Sequence, residues 1–290
     1  RRACVYGGAP YGPQCTALRS GAAAVVVGTP GRTKDLLEKR VLNLDQVTFF
    51  VLDEADEMLS MGFQDELDFI CQSMADRQER QLLLFSATVP PWVRSTAAKF
   101  SKKDIVDIDL VKNNDGASKK AASEDVRHVC VPAHWGQILE TVNDVRQAYS
   151  SSSSSKDSQT ILFCETKVEC NEVVASKTIR GDKPRALHGD IPQREREKTI
   201  AAFKNGEFSL LVATDVAARG LDTVIDLVIQ NKPPSTRTGR ADVETYVHRS
   251  GRTGRAGRKG VAVTLYGPKQ RHLLKEIERA TQNTFEWKGA

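Results

Sequence analysis

The 290 residues are enough for two domains with real cores, and a content of 40% hydrophobic and 27% charged residues is that of a globular chain. No apolar run approaches the ~18 residues of a membrane-spanning helix, and the six scattered cysteines, without a C-x-x-C pair, argue against a disulfide frame or a zinc site. The net charge of +5 is uneven: there are 13 Lys/Arg against 15 Asp/Glu through Leu110 and 29 against 22 beyond it, so the second half is the one suited to a polyanion. No signal-like segment precedes the first strand, and an opening at Arg1 reads as a cut point within a longer protein.

Short runs of branched and aromatic residues alternate with helix-period segments, which predicts an α/β chain with mainly parallel sheets. In the first half, strands are expected at Ala24–Val27, Phe49–Leu52 and Leu82–Phe85, and helices over Thr33–Lys39 and Gln64–Met74. Lys112–Glu124 is rich in Asn, Ser, Ala and Lys, has no periodicity and reads as a linker. It divides the chain into residues 1–110, 111–125 and 126–284. In the last part, strands are expected at Val126–Val131, Thr160–Cys164, Ser209–Ala213, Leu227–Gln230 and Val261–Tyr266. A helix is expected around Gln137–Tyr149, a flexible loop at the serine tract Ser150–Ser155, and a final amphipathic helix over about Pro268–Thr281.

Several strand ends carry residues suited to phosphate chemistry. Thr48–Leu52 runs into Asp53-Glu54-Ala55-Asp56, and parallel sheets bind ligands outside the carboxyl ends of their strands. An Asp there can hold Mg²⁺ and a neighbouring acid can orient an attacking water; a polar loop after a strand is the plainer alternative. Ser86-Ala87-Thr88 follows a strand, and its hydroxyls can bond a carboxylate such as Asp56, or simply cap a helix before Pro90-Pro91. Val27–Arg32 lies between a strand and a helix, where backbone N–H groups with Thr29 and Arg32 can seat a sugar–phosphate. Gly7-Gly8 allows a similarly close approach, and both segments also read as ordinary turns. Thr214 ends a strand before Arg219-Gly220-Leu221-Asp222, where Gly220 and Asp222 can approach a ribose. In Tyr246–Arg255, Arg252 and Arg255 are three apart and would face one way on a helical turn, as a γ-phosphate clamp requires. A basic, Gly-rich nucleic-acid loop is the alternative.

Taken in order, these segments resemble the DEAD-box ATP-dependent RNA helicases, over nearly the whole chain. The match runs through Gly7-Gly8, Thr29–Arg32, Asp53–Asp56, Ser86–Thr88, Ile161–Lys167, His188–Asp190 with Gln193 and Arg196, Ala213–Asp222 and Tyr246–Arg255. Tyr6-Gly7-Gly8, His134-Trp135, Phe163–Lys167, His188–Gln193 and His248–Gly251 are most similar to the nucleolar RNA helicase II (Gu) subgroup, a pattern that organellar plant relatives share in part. The resemblance implies two RecA-like domains, the first truncated at its N-terminus, with ATP and Mg²⁺ as cofactors. It gives Asp53 the Mg²⁺, through water, and Glu54 the hydrolytic water. Gly220, Asp222, Arg252 and Arg255 would close over ATP, while Asp56, Ser86, Thr88 and His248 would couple the nucleotide to the domain interface. Gly7, Gly8, Thr29, Gly31 and Arg32 would grip the RNA backbone on the first domain, and Gln193, Arg196 and Thr214 on the second. It further implies an ATPase that unwinds RNA duplexes or remodels ribonucleoproteins, with pre-ribosomal particles as partners, no membrane, and a nuclear or nucleolar, or else organellar, location.

Two features depart from that pattern. The chain has no Gly-Lys dipeptide and hence no G-x-x-x-x-G-K-[ST] phosphate loop. Truncation is the expected cause, leaving this piece a poor ATP binder with an incomplete first sheet; a nonenzymatic RNA-binding scaffold is the competing reading. Second, Ser235–Ala241 lengthens the loop after Pro233-Pro234, and its Arg237–Ala241 repeats Arg252–Ala256. A basic surface loop is expected there in preference to a second pair of arginine fingers.

Overall fold

A computed structural model of the chain describes residues 1–74, 80–86, 93–95, 98, 105–108, 125–149, 158–181, 183–218, 221, 223–255 and 257–289. The expected linker Lys112–Glu124 and the serine tract Ser150–Ser155 lie outside the described residues. The chain forms two compact units, Arg1–Ile108 and Asp109–Ala290.

The first unit contains β1 (Arg2–Val5), α1 (Tyr11–Arg19), β2 (Val25–Gly28), α2 (Pro30–Glu38), β3 (Phe49–Leu52), α3 (Ala55–Ser60), α4 (Gln64–Gln72) and β4 (Gln81–Leu84). Its strands form two parallel pairs, β1 with β2 and β3 with β4. Helix α2 starts three residues before the expected Thr33, because Thr29 is extended and Pro30 occupies the first helical position, where its fixed φ fits and no N–H is needed. Val5, Cys15 and Leu36 make one small core, and Leu52, Ala55 and Leu67 another. Val25, Val27, Phe49 and Val51 remain exposed on their strands.

In the second unit, β5 (Val126–Pro132), β6 (Thr160–Phe163), β7 (Arg185–Leu187), β8 (Leu210–Ala213), β9 (Leu227–Gln230), β10 (Gly260–Tyr266) and β11 (Phe285–Trp287) form a seven-stranded parallel sheet. The order is β11-β5-β10-β9-β6-β8-β7. The connecting helices are α5 (Ile138–Tyr149), α6 (Lys167–Ala175), α7 (Gln193–Lys204), α8 (Asp215–Ala218), α9 (Val243–Ser250) and α10 (Arg271–Thr281). Every residue of β6, β8 and β9 is buried, as expected for strands covered on both faces. The two-residue period sends Ile161 and Phe163 into one cluster with Phe203 and Leu211, and Leu162 into the other with Val142, Cys170 and Leu210. Burying each such side chain contributes about 1.5–3 kcal/mol.

Strands β7 and β11 were not expected. Three residues carry too little periodicity to read, and pairing with β8 and β5 is what makes them strands. Strand β11 extends the sheet past residue 284, and its Glu286 accepts a hydrogen bond from Arg127 Nη2 at 2.7 Å. The last helix begins later than expected: Pro268–Gln270 is a separate 3₁₀ turn before α10, which buries Leu273, Leu274 and Ile277.

Candidate active site

In the first unit, the parallel pairing of β3 and β4 brings both strand exits to one edge, with Leu52 opposite Leu84. The three acids there divide. Asp53 and Glu54 are exposed, while Asp56 is only 2% exposed. The cause is local: Glu54 takes a left-handed conformation (φ 51°, ψ 47°), which turns the chain abruptly into α3. A non-glycine residue pays about 1–2 kcal/mol for that conformation, and such strain gathers at functional sites. The Glu54 amide donates to Asp53 Oδ1 at 3.0 Å, and the amide of the fully buried Ala55 donates to Phe85 O at 3.1 Å. Ser86 reaches Asp56: its Oγ accepts from the Asp56 amide at 3.2 Å, at the buried start of α3. Thr88 lies outside the described residues. Two exposed, adjacent carboxylates are hard oxygen donors of the kind Mg²⁺ takes.

The pairing of β1 with β2, Val5 opposite Gly28, likewise brings Tyr6-Gly7-Gly8 and Thr29–Arg32 to one edge. A Cβ placed on Gly31 would meet nothing within 4 Å, so the space outside it is open to an approaching backbone. Arg32 packs its guanidinium over the Tyr11 ring, 5.3 Å from the centroid, and its buried Nη1 has no hydrogen-bond partner. That group is a donor suited to a phosphate oxygen.

In the second unit the residues at the carboxyl ends of the strands form a charged network. Arg249, on α9, is 2% exposed. Its Nε and Nη2 donate to the two Asp215 oxygens at 2.6 and 2.7 Å, and Nη2 also donates to Glu165 Oε1 at 2.9 Å. Burial alone would lower the guanidinium pKa, but Asp215 and Glu165 outweigh it and raise it. Alongside, Glu169 accepts from Lys232 Nζ and Asn231 Nδ2, both at 3.1 Å. Burial would raise its pKa, yet these bonds and the Glu165 amide hold it below the ordinary carboxylate value. Sequence reasoning missed the role of Glu165, Asp215 and Arg249. A signal was present: Glu165 and Asp215 each stand two residues past a strand, just as Glu54 does.

His248, Arg249 and Arg252 line one small cleft of about 20 Å³ with Phe163, Asp215 and Thr245. Arg252 and Arg255 do not share the helical turn expected for them. Helix α9 ends at Ser250, Gly251 caps it, and Gly254 has φ +67°, so the two arginines sit in a turn. Arg255 Nε donates to Gly251 O at 2.8 Å and Nη1 to Leu221 O at 3.4 Å, which holds it against the loop. Gly220 and Asp222 lie outside the described residues. Gln193 opens α7 and accepts from Arg196 Nη1 at 3.2 Å, and Thr214 follows β8, its amide bonded to Leu187 O. His188, after β7, is bonded to Asn171 at 3.0 Å. Residues 193, 196 and 214 therefore belong to the β7–β8 side of the edge.

Residues 1–96 match the family model described as DEAD/DEAH box helicase, and residues 140–257 that of the helicase conserved C-terminal domain. DEAD-box ATP-dependent RNA helicase 7 of Arabidopsis thaliana is 45% identical over 284 residues, covering 98% of this chain and 39% of that protein. Nucleolar RNA helicase 2 of Rattus norvegicus is 44% identical over 288 residues, covering 98% of this chain and 35% of that protein. The chain thus spans about a third to two fifths of the length of these curated relatives. Among solved structures, S. cerevisiae Dbp5 bound to RNA and ADP BeF3 is similar with a TM-score of 0.80 and 26% identity, covering 99% of this chain and 69% of that one.

Proposed function

Because the chain belongs to the DEAD-box helicase family, we propose that the protein carrying it is an RNA-dependent ATPase that unwinds short RNA duplexes or remodels RNA–protein complexes. Residues 1–110 are the later part of its ATP-binding domain, 111–125 the linker, and the remainder the second RecA-like domain. The observation that carries this reading is the acidic corner after β3, where Asp53 and Glu54 are exposed and Asp56 is buried with its amide bonded to Ser86 Oγ. When bound, ATP with Mg²⁺ supplies the phosphoryl group that hydrolysis transfers to water. Asp53 would hold the metal, through water, and Glu54 Oε would accept the proton of the attacking water. Arg252 and Arg255, with Gly220 and Asp222, would contact the nucleotide from the second domain. Asp56, Ser86, Thr88 and His248 would pass its state to the rest of the fold. Gly7, Gly8, Thr29, Gly31, Arg32, Gln193, Arg196 and Thr214 would bind RNA through its sugar–phosphate backbone, which gives little base specificity.

The nucleolar relatives support a role on pre-ribosomal particles in the nucleus or nucleolus. The 290 residues by themselves should turn over ATP poorly, since no Gly-Lys phosphate loop is present in them. That same absence favours the second reading, an RNA-binding scaffold. Steady-state ATP hydrolysis by the natural full-length polypeptide separates the two. The enzyme reading expects turnover only with RNA; no turnover supports the scaffold, and equal stimulation by single-stranded DNA defeats the RNA assignment.

A further inference from the structure

Strands β5 and β10 are neighbours whose onward connections pack on opposite faces of the second unit's sheet. Ile138, Leu139 and Val142 of α5 pack with Val129 and Val263, whereas Leu274 and Ile277 of α10 pack with Cys130 and Tyr266. Loops that leave adjacent parallel strands to opposite faces open a crevice at the carboxyl edge. A cleft of about 230 Å³ lies there, lined among others by Trp135, Asn231, Tyr266 and Pro268. The helicase residues assigned above are not among its lining. Trp135 is 71% exposed, with Lys232 Nζ 5.9 Å from its ring centroid. Asn231, 8% exposed, has an Oδ1 without a hydrogen-bond partner.

The extra loop begins three residues after Lys232, which itself lies two residues past β9, and it is a built hairpin. Ser235 and Ala241 form an antiparallel bridge, the Thr236 amide donates to Arg240 O at 2.8 Å, and the Gly239 amide donates to Thr236 O at 2.9 Å. Thr236 and Thr238 share a hydroxyl–hydroxyl bond of 2.9 Å. Gly239, at φ +78°, makes the turn that Gly254 makes in the repeat. The two copies then part. Thr253 is buried and donates to Ile225 O, whereas Thr238, Arg237 and Arg240 are all exposed. Lys232 is paired with Glu169 at 3.1 Å, but neither arginine makes an ion pair among the described residues, and no acid occurs between Lys232 and Ala241. A bridged cationic hairpin that begins three residues after Lys232, whose Nζ lies near an exposed indole, offers the two parts of a sequence-tolerant single-strand site, phosphate contacts and a stacking face.

We propose that Trp135, Lys232 and the hairpin arginines Arg237 and Arg240 form an accessory site for single-stranded RNA, beyond the residues assigned to the helicase core. This rests on the RNA reading above. Bases would stack on Trp135 at the mouth of the cleft, and Arg237 and Arg240 would take successive phosphates.

The test is fluorescence anisotropy of a labelled oligouridylate with the 290-residue chain between 50 and 200 mM salt. Replacing both hairpin arginines (R237S/R240S) should lower the slope of log K against log salt by about 1.4, two contacts at ~0.7 each on a single strand. Trp135→Ala should weaken binding by about 10-fold, and Trp135→Phe should restore most of it. The substituted side chains are exposed, so folding should not change. An unchanged slope and affinity in R237S/R240S, with wild type binding the oligouridylate and Arg196→Ala weakening that binding, would overturn the accessory site alone. Hairpin-dependent binding of polyglutamate without any hairpin effect on RNA would assign the surface to an acidic protein and also overturn it. A wild-type chain that binds no oligouridylate would remove both this site and the RNA reading beneath it.

Discussion

Removing Asp215 from its pair with the buried Arg249 should destabilise the second unit more than any exposed charge change. Among the described residues, Asp215 accepts two of the three hydrogen bonds of the Arg249 side chain, at 2.6 and 2.7 Å, and Nη1 has none. Bonds to charged groups contribute about 1.5–3 kcal/mol each. Asp215 is 33% exposed, so its own rehydration offsets part of the loss. Asp215→Ala should therefore cost about 3–5 kcal/mol, the range for a broken buried pair. Asp215→Asn keeps one acceptor and should cost about 2 kcal/mol. Combining Asp215→Ala with Arg249→Met should cost clearly less than the sum of the singles, because no buried cation is left unpaired. Native-state hydrogen exchange of the β6 and β8 amides across a urea series reads these values for the second unit. A loss under about 1 kcal/mol for Asp215→Ala, or strict additivity in the double variant, would refute the argument.

Acid should weaken the same unit through His128, which is buried, bonded to the Tyr246 hydroxyl at 2.8 Å, and pushed by burial from 6.5 to a pKa of about 4. The unfolded chain takes up this proton below pH 6.5 and the folded chain only near 4, so the contribution is complete above 6.5 and declines toward 4. At 1.36 kcal/mol per pH unit it amounts to at most about 3 kcal/mol. The stability difference between wild type and His128→Gln should therefore change across that window; a constant difference from pH 7 to about 4 would count against it. In the full-length protein, Glu54→Gln should abolish ATP hydrolysis while nucleotide and RNA affinity persist, and retained turnover in single-turnover kinetics would show that Glu54 is not the catalytic base. Arg252→Ala and Arg255→Ala should each slow hydrolysis by ~10³ or more; a purely salt-dependent loss of RNA affinity would make them a basic loop instead.

Much was legible in the chain itself, because local patterns report local physics. Continuous apolar runs such as Ile161–Phe163 and Leu210–Ala213 announce strands buried on both faces, and polar residues after strands mark the carboxyl edge that holds Asp53, Glu54 and Thr214. The order of these short segments was enough to point to the family. Tertiary structure decided what depends on which strands become neighbours. Arg249 meets Asp215 and Glu165, 34 and 84 positions away, only because β6 and β8 pair and both end beneath α9. Strands β7 and β11 exist because an edge was there to receive three residues. The helix that would have aligned Arg252 with Arg255 stops at Ser250, and Gly254 turns the chain away. Residue type and spacing encode which side chains seek water or a core; the strand order determines which charges meet out of water, where an unpaired one costs most.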